Sequence, residues 1–240
     1  MCELLLVAWP EPKPFEASLP WVESLERFGL GGYGWGVAWR EEGEVRTYRH
    51  PSSLAQDPVG RQRTAAARST HFLVHLRRPS NLSQISLADT QPFRTEGGEF
   101  AFAHNGRLDG AEQERANFAG LLQGRADSEV GFRLLHRLLQ SGWKPDSALL
   151  EVHRRLGGTA NFGYLPARGP ALAYAGSTMN SVWRFEVAEA QLAATALHSG
   201  DQAVFDLCFA GARDRRLVPV GSAVAVGEHE VATSGSRGVG

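Results

Sequence analysis

Cys2 is the residue on which chemistry could turn. Initiator methionine is normally removed ahead of a small residue, and loss of Met1 would leave Cys2 with both a thiol and a free α-amine. With ordinary pKa values of about 8.5 for a thiol and about 7.7–8.0 for an α-amine, the amine can take the thiol proton near neutrality. One residue would then supply nucleophile and base together. With Met1 retained, the same nitrogen is an amide and the base is gone. A small apolar strand residue is the plainer reading of this cysteine.

Three further groups suit a polar substrate. Arg77 follows the apolar run Phe72 to Leu76, and its planar fork can grip a carboxylate in bidentate fashion. A solvated arginine at a strand end is the alternative. His75 alternates with Leu73 and reads as a packed, hydrogen-bonded histidine. The run Phe100 to Arg107 is expected to be a strand that stops at Asn105-Gly106. Such a stop can be a simple hairpin turn. It can also be an oxyanion hole, with the Asn105 amide and the Gly106 N–H aimed at one oxygen atom. Asp127 stands just ahead of a helical pattern, where it would be an N-cap or a carboxylate for an α-ammonium group.

Two tempting signals are set aside. Gly31 to Gly36 lacks the strand-then-helix context and the lysine of a nucleotide loop. Among the eight histidines, His71 and His75 are four apart, but in an expected strand with no carboxylate nearby in sequence. No metal and no cofactor are expected.

The elements that must position these residues alternate unevenly. Leu4 to Trp9 reads as a short buried strand ended by Pro10, Pro12 and Pro14. Trp21 to Phe28 reads as a helix closed by Gly29. Trp35–Trp39 and Glu44–Tyr48 form an expected hairpin through Glu41-Glu42-Gly43, with further strands at Phe72–Leu76 and Glu99–His104. Helices are expected over Asp109–Leu122, Ser128–Gln140 and Asp146–Leu156, the second carrying an apolar stripe of Val130, Leu134, Leu135, Leu138 and Leu139. Strands then return at Phe162–Leu165, Ala171–Ala175, Val182–Val187, Leu192–Ala196, Leu217–Val220 and Ala223–Val226. Strands, a helical block, then strands again fit an α+β sandwich in which helices cover antiparallel sheets.

Bulk properties narrow the class. The chain has 240 residues, 42% hydrophobic and 21% charged, with a formal net charge of -1. That suffices for a substantial core and gives none of the basic excess of a nucleic-acid binder. No stretch approaches the roughly 20 apolar residues that span a bilayer, and no signal peptide is evident. With two distant cysteines, Cys2 and Cys208, a reduced cytoplasmic setting is the expectation. No linker divides the chain, so residues 1–240 read as one domain, with a Gly- and Ser-rich tail over 233–240 expected to fray.

The chemical residues together resemble the class II glutamine amidotransferases, a branch of the N-terminal-nucleophile hydrolases. Met1-Cys2-Glu3-Leu4-Leu5 is similar to the opening of the compact, single-domain subgroup, and Gly34-Trp35-Gly36-Val37-Ala38 to its early Gly-Trp-Gly strand. His75-Leu76-Arg77 matches the family's His-x-Arg. Asp89-Thr90-Gln91-Pro92-Phe93 resembles its Asn-Thr-His-Pro-Phe, with Gln91 in place of histidine. Phe102-Ala103-His104-Asn105-Gly106 matches the oxyanion element, and Asp127-Ser128-Glu129 the Asp-Ser/Thr-Glu that opens a helix. Arg78-Pro79-Ser80-Asn81 departs from the usual small-residue and glycine pattern.

The resemblance implies a four-layer αββα sandwich. It assigns Cys2 as nucleophile, Asn105 and Gly106 as oxyanion donors, and Arg77, Ser80 and Asp127 as contacts to the amino-acid backbone of the substrate. It implies cleavage of the side-chain amide of glutamine, or of a γ-glutamyl small molecule, through a Cys2 thioester. Ammonia or an amine and glutamate would be the products. Two other outcomes stay open: an ammonia-supplying subunit for a separate synthase partner, and a binding module of this fold that has lost catalysis.

Overall fold

The computed structural model describes residues 2–29, 31–79, 82, 85–195 and 202–227. Ser80 and the tail over 233–240 lie outside these residues. The described strands form two antiparallel sheets. The larger contains β1 (Glu3–Pro14), β2 (Trp35–Glu41), β3 (Glu44–His50), β4 (Arg68–Leu76), β9 (Val182–Val187), β10 (Ala190–Thr195) and β11 (Arg213–Leu217). Its order is β11-β9-β10-β1-β4-β2-β3. The smaller contains β5 (Phe93–Arg94), β6 (Phe100–Arg107), β7 (Thr159–Pro166), β8 (Ala171–Ala175) and β12 (Ser222–Val226), in the order β12-β8-β7-β6-β5.

Strand alternation explains why the sheets stack. Along β1, Leu5, Val7 and Trp9 face one core and Leu4, Leu6 and Ala8 the other. The first set packs under α1 (Leu19–Phe28) and α6 (Gln202–Cys208), through Val22, Leu25, Phe205 and Phe209. The second set meets Ala101, Ala103 and Ala173 of the opposite sheet. Beyond that sheet, Phe102, Phe162 and Tyr174 pack against Val130, Leu134 and Leu149 of α4 (Asp127–Gln140) and α5 (Pro145–Leu156). The result is the expected order of helix, sheet, sheet, helix. The alanines between the sheets bring the two backbones close, and a Cβ added at Gly163 would lie 2.5 Å from Leu73 Cδ1.

Several elements correct the sequence reading. β1 does not end at Pro10 but runs to Pro14. Its pairing with β10 stops at Ala8, and its pairing with β4 breaks between Ala8 and Lys13, so the prolines occupy a stretch with few ladder donors to lose. The span Asp109–Leu122 is not one helix. It holds the four-residue α3 (Ala111–Glu114), a 3-10 turn over Arg115–Phe118, and Gly120 at φ +79°. With Ala111 and Phe118 its only buried apolar residues past Leu108, it has too little to pack against. β11 ends at Leu217 where a strand from Leu217 to Val220 is expected, and α6 has no counterpart in the sequence reading. The β2–β3 hairpin is as expected, with Glu42 at φ 53° and Gly43 at φ 82° in a type I′ turn. Asp57, the N-cap of α2 (Pro58–Ala65), also accepts from Trp35 Nε1 at 3.1 Å and Tyr48 Oη at 2.7 Å, which fastens that hairpin.

Candidate active site

The alternation that builds the inter-sheet layer also aims the candidate residues. Cys2 shares the parity of Leu4 and Leu6, and Asn105 that of Ala101 and Ala103. His75 shares the parity of Leu73, and Arg77 continues it just past the end of β4. All four therefore project into the gap between the sheets at one end of the sandwich.

The contacts agree with this geometry. Register pairs Glu3 with Leu76, so Cys2 lies level with Arg77 and Arg78. Arg78 N–H donates to Cys2 Sγ at 3.3 Å, and the thiol donates to Arg78 O at 3.5 Å. Asn105 Nδ2 donates to the carbonyl oxygen of Cys2, while Asn105 Oδ1 is buried without a partner. Burial pushes the Cys2 thiol up, against the opposing pull of the Arg78 N–H and the Arg77 charge. The Arg77 guanidinium is itself buried and lowered by that burial, with Asp89, Cys2 and Asp127 as the negative groups that offset it. Cys2, Arg77 and Asp127 thus sit within one electrostatic neighbourhood, with Asn105 on the Cys2 backbone.

Two expectations about individual residues are overturned. The strand of Phe100 to Arg107 does not stop at Asn-Gly. Both residues lie in the paired β6, with Asn105 opposite Asn161 and Gly106 opposite Ala160. Gly106 keeps the ladder intact only because it adopts φ +143°, a conformation closed to other residues. Asp127 is not an N-cap: that position is Ala126, and Asp127 is the first residue of α4. Its Oδ2 accepts from Leu108 N at 2.7 Å and its Oδ1 from Ser128 N at 2.9 Å. The carboxylate therefore ties the end of β6 to the start of α4 and lines a cleft of about 230 Å³ with Arg107 and Arg125.

Asp89 adjoins this neighbourhood, and the sequence reading gave it no role. Its Oδ1 accepts from Arg125 N at 2.5 Å and Ala126 N at 2.8 Å, anchoring the loop that delivers Asp127. The signal for it was its place at the head of the Asp89-Thr90-Gln91-Pro92-Phe93 segment. Among the described residues, no group of three or more His, Cys, Asp or Glu side chains is arranged to hold a metal ion. No helix among them is long and apolar enough to cross a membrane.

The buried histidines make a pH prediction. Burial lowers His71 to about 4, with Arg40 adding to the effect, and lowers His75 to about 3, with Arg77 and His104 adding to it. His104 is also lowered by burial. Each is neutral in the fold, whereas an unfolded histidine titrates near 6.5. Their contribution is present above pH 6.5 and is lost as pH falls toward the folded values. Between pH 7.5 and pH 5, His71 and His75 should each cost about 2 kcal/mol. Urea unfolding at the two pH values measures this, and equal stabilities would refute it.

Comparison with known proteins places these observations. The family model of the class II glutamine amidotransferases matches residues 1–207. Over 148 residues, 58% of this chain and 56% of the other, the chain is 31% identical to "Putative glutamine amidotransferase YafJ" of Escherichia coli. It is 34% identical over 115 residues to an uncharacterized protein of Methanocaldococcus jannaschii, covering 47% of this chain and 32% of that one. The matches thus span about half or less of these relatives' length. In fold, the chain resembles the glutamine phosphoribosylpyrophosphate amidotransferase of B. subtilis, with a TM-score of 0.74 at 18% identity over 95% of this chain and 47% of that one. A "predicted glutamine amidotransferase" from Pseudomonas aeruginosa superposes with a TM-score of 0.55 at 19% identity, over 94% of this chain and 97% of the other. The chain belongs to the class II glutamine amidotransferases.

Proposed function

We propose that this protein hydrolyses the side-chain amide of glutamine or of a γ-glutamyl small molecule, with Cys2 as the nucleophile once Met1 is removed. The observation that carries the reading is the Asn105 amide held against the Cys2 backbone, on the strand that also brings Gly106. The freed α-amine takes the thiol proton, and the thiolate attacks the δ-carbonyl. An Asn side-chain nitrogen has two N–H groups. With one on the Cys2 carbonyl, the second is available to the tetrahedral oxyanion, joined by the Gly106 N–H. Each such donor is worth about 3 kcal/mol. The protonated amine returns its proton to the departing nitrogen, the C–N bond breaks, and a thioester remains. Water then releases glutamate and frees the thiol.

Arg77 grips the α-carboxylate, a role the resemblance extends to Ser80, and Asp127 takes the α-ammonium group. The burial of Arg77 and its electrostatic coupling to Asp127 support the assignment. Lysine at position 77 would keep the charge but lose the fork, so Arg77→Lys should raise KM for glutamine at least about tenfold and change kcat less. Steady-state kinetics on glutamine decides this, and an unchanged KM would remove Arg77 from the pocket.

We take residues 1–240 as one catalytic unit with no cofactor. Both cysteines are free and buried, which suits a reducing cytoplasm. The purified protein should release glutamate from glutamine or larger γ-glutamyl amides without a partner. Release only after addition of a synthase would make it an ammonia-supplying subunit. No release, and no mass gain at Cys2 with a glutamine-analogue diazoketone, would make it a binding module.

A further inference from the structure

Gln91 stands where the resemblance leads one to expect histidine, and its surroundings are unusually full. Its side chain is buried. Oε1 accepts from His104 N at 2.6 Å, and Nε2 donates to His104 O at 3.2 Å and to Ser128 Oγ at 3.2 Å. Nε2 also lies 3.4 Å from His75 Nε2. One planar amide thus holds both backbone groups of the residue preceding Asn105, touches the residue following Asp127, and abuts the histidine two residues before Arg77.

The Ser128 hydroxyl lies within reach of both Asp127 Oδ1, at 3.3 Å, and His104 Nδ1, at 2.9 Å, and the shorter contact orders the network. An amide nitrogen only donates, so Ser128 Oγ accepts from Gln91. The Ser128 hydroxyl then donates to His104 Nδ1 at 2.9 Å, and His104 Nε2–H donates to Thr159 O at 3.1 Å. His75 Nε2–H donates to His104 O at 3.1 Å, leaving His75 Nδ1 unprotonated and without a partner. Every ring in the network is neutral. The backbone of Gln91 is fixed as well: a Cβ on Gly36 of β2 would lie 2.3 Å from Gln91 O, so only glycine lets β2 approach this closely.

We infer that Gln91 is a positioning residue for catalysis, registering the Asn105-Gly106 oxyanion element of β6 against the Asp127 end of α4 and the Arg77 end of β4. This inference rests on the proposed hydrolysis. Two of the three hydrogen bonds go to His104, including the shortest, so Gln91 acts chiefly on where Asn105 points. Its loss falls on the transition state more than on substrate binding.

Methionine has similar length and no amide, so Gln91→Met is the main test, measured as steady-state glutaminase kinetics beside urea unfolding. The expected result is a fall in kcat of at least about 20-fold, with KM within about threefold and a cooperative unfolding transition retained. Gln91→His restores an acceptor for His104 N–H and should bring kcat back to within about fivefold of wild type. A Gln91→Met enzyme with kcat within threefold of wild type overturns the inference. So does a loss in which KM rises in step with falling kcat and Gln91→His recovers nothing, the pattern of a merely loosened fold. An inactive wild-type protein would instead refute the proposed hydrolysis.

Discussion

A Cys2→Ala protein should fold as the wild type does and release no glutamate above about one part in 10⁴ of the wild-type rate. The fold is spared because the side chain lost is small and its hydrogen bonds are to the backbone of one neighbour, Arg78. Activity is not spared, because in the proposed mechanism the sulfur forms the bond that replaces the amide. Cys2→Ser tests the same step differently. Its hydroxyl is a far weaker nucleophile for an α-amine to activate, so turnover should remain about 10³-fold or more below wild type. Cys208→Ala is the control: Cys208 is buried in the helix layer over the larger sheet, with its thiol pushed up to about 11, and should leave turnover unchanged. A fourth protein, in which Met1 is retained, keeps the sulfur and loses the base. It should be nearly as inactive as Cys2→Ala. Glutamate release by Cys2→Ala at the wild-type rate would end the proposed mechanism, and full activity with Met1 retained would end the role of the α-amine.

How much of this was legible in the sequence differs with the physics involved. Elements set by local chemistry read well. The Glu42-Gly43 turn, the apolar stripe of α4 and the strand Val182–Val187 come out where spacing places them. Elements set by neighbours do not. Nothing local lets a strand run through Pro10, Pro12 and Pro14; that follows from which ladders have ended by Ala8. The stretch 109–122 has good helix formers but buries only Ala111 and Phe118, so tertiary context breaks it. In the candidate site, Cys2, Arg77, Asn105, Gly106 and Asp127 were nameable because each is a residue type with a chemistry of its own, in a segment that resembles a known family. Asp89 and Gln91 were harder, since both act through backbone groups of residues 13 to 37 positions away. Such partners are visible only when β6 and the α4 terminus are brought together. The Asn-Gly pair was misread in the same way: its tolerance for positive φ suggested a turn, and the structure uses that tolerance inside a strand.

Gly106 gives the sharpest test of that last point. A Cβ at this position would lie 1.7 Å from Thr159 O, 2.6 Å from Thr159 C and 3.0 Å from His104 Nε2. The first two atoms are backbone of the paired strand β7, held by the register that sets Gly106 opposite Ala160, so no rotamer change can relieve the clash. The φ of +143° adds its own strain for any residue with a side chain. Gly106→Ala should therefore cost at least about 3 kcal/mol and part the end of β6 from β7. Gly120→Ala separates the two causes. It also has positive φ, +79°, but nothing lies within 4 Å of its added Cβ, and it should cost only about 1 kcal/mol. Because Asn105 immediately precedes Gly106, whatever Gly106→Ala protein remains folded should also have lost the alignment of the Asn105 amide on Cys2, and with it turnover. Urea midpoints for the two variants measure the difference. If Gly106→Ala unfolds no earlier than Gly120→Ala and keeps its activity, the glycine is not what lets an oxyanion donor sit inside a strand, and the geometry proposed for the site is wrong.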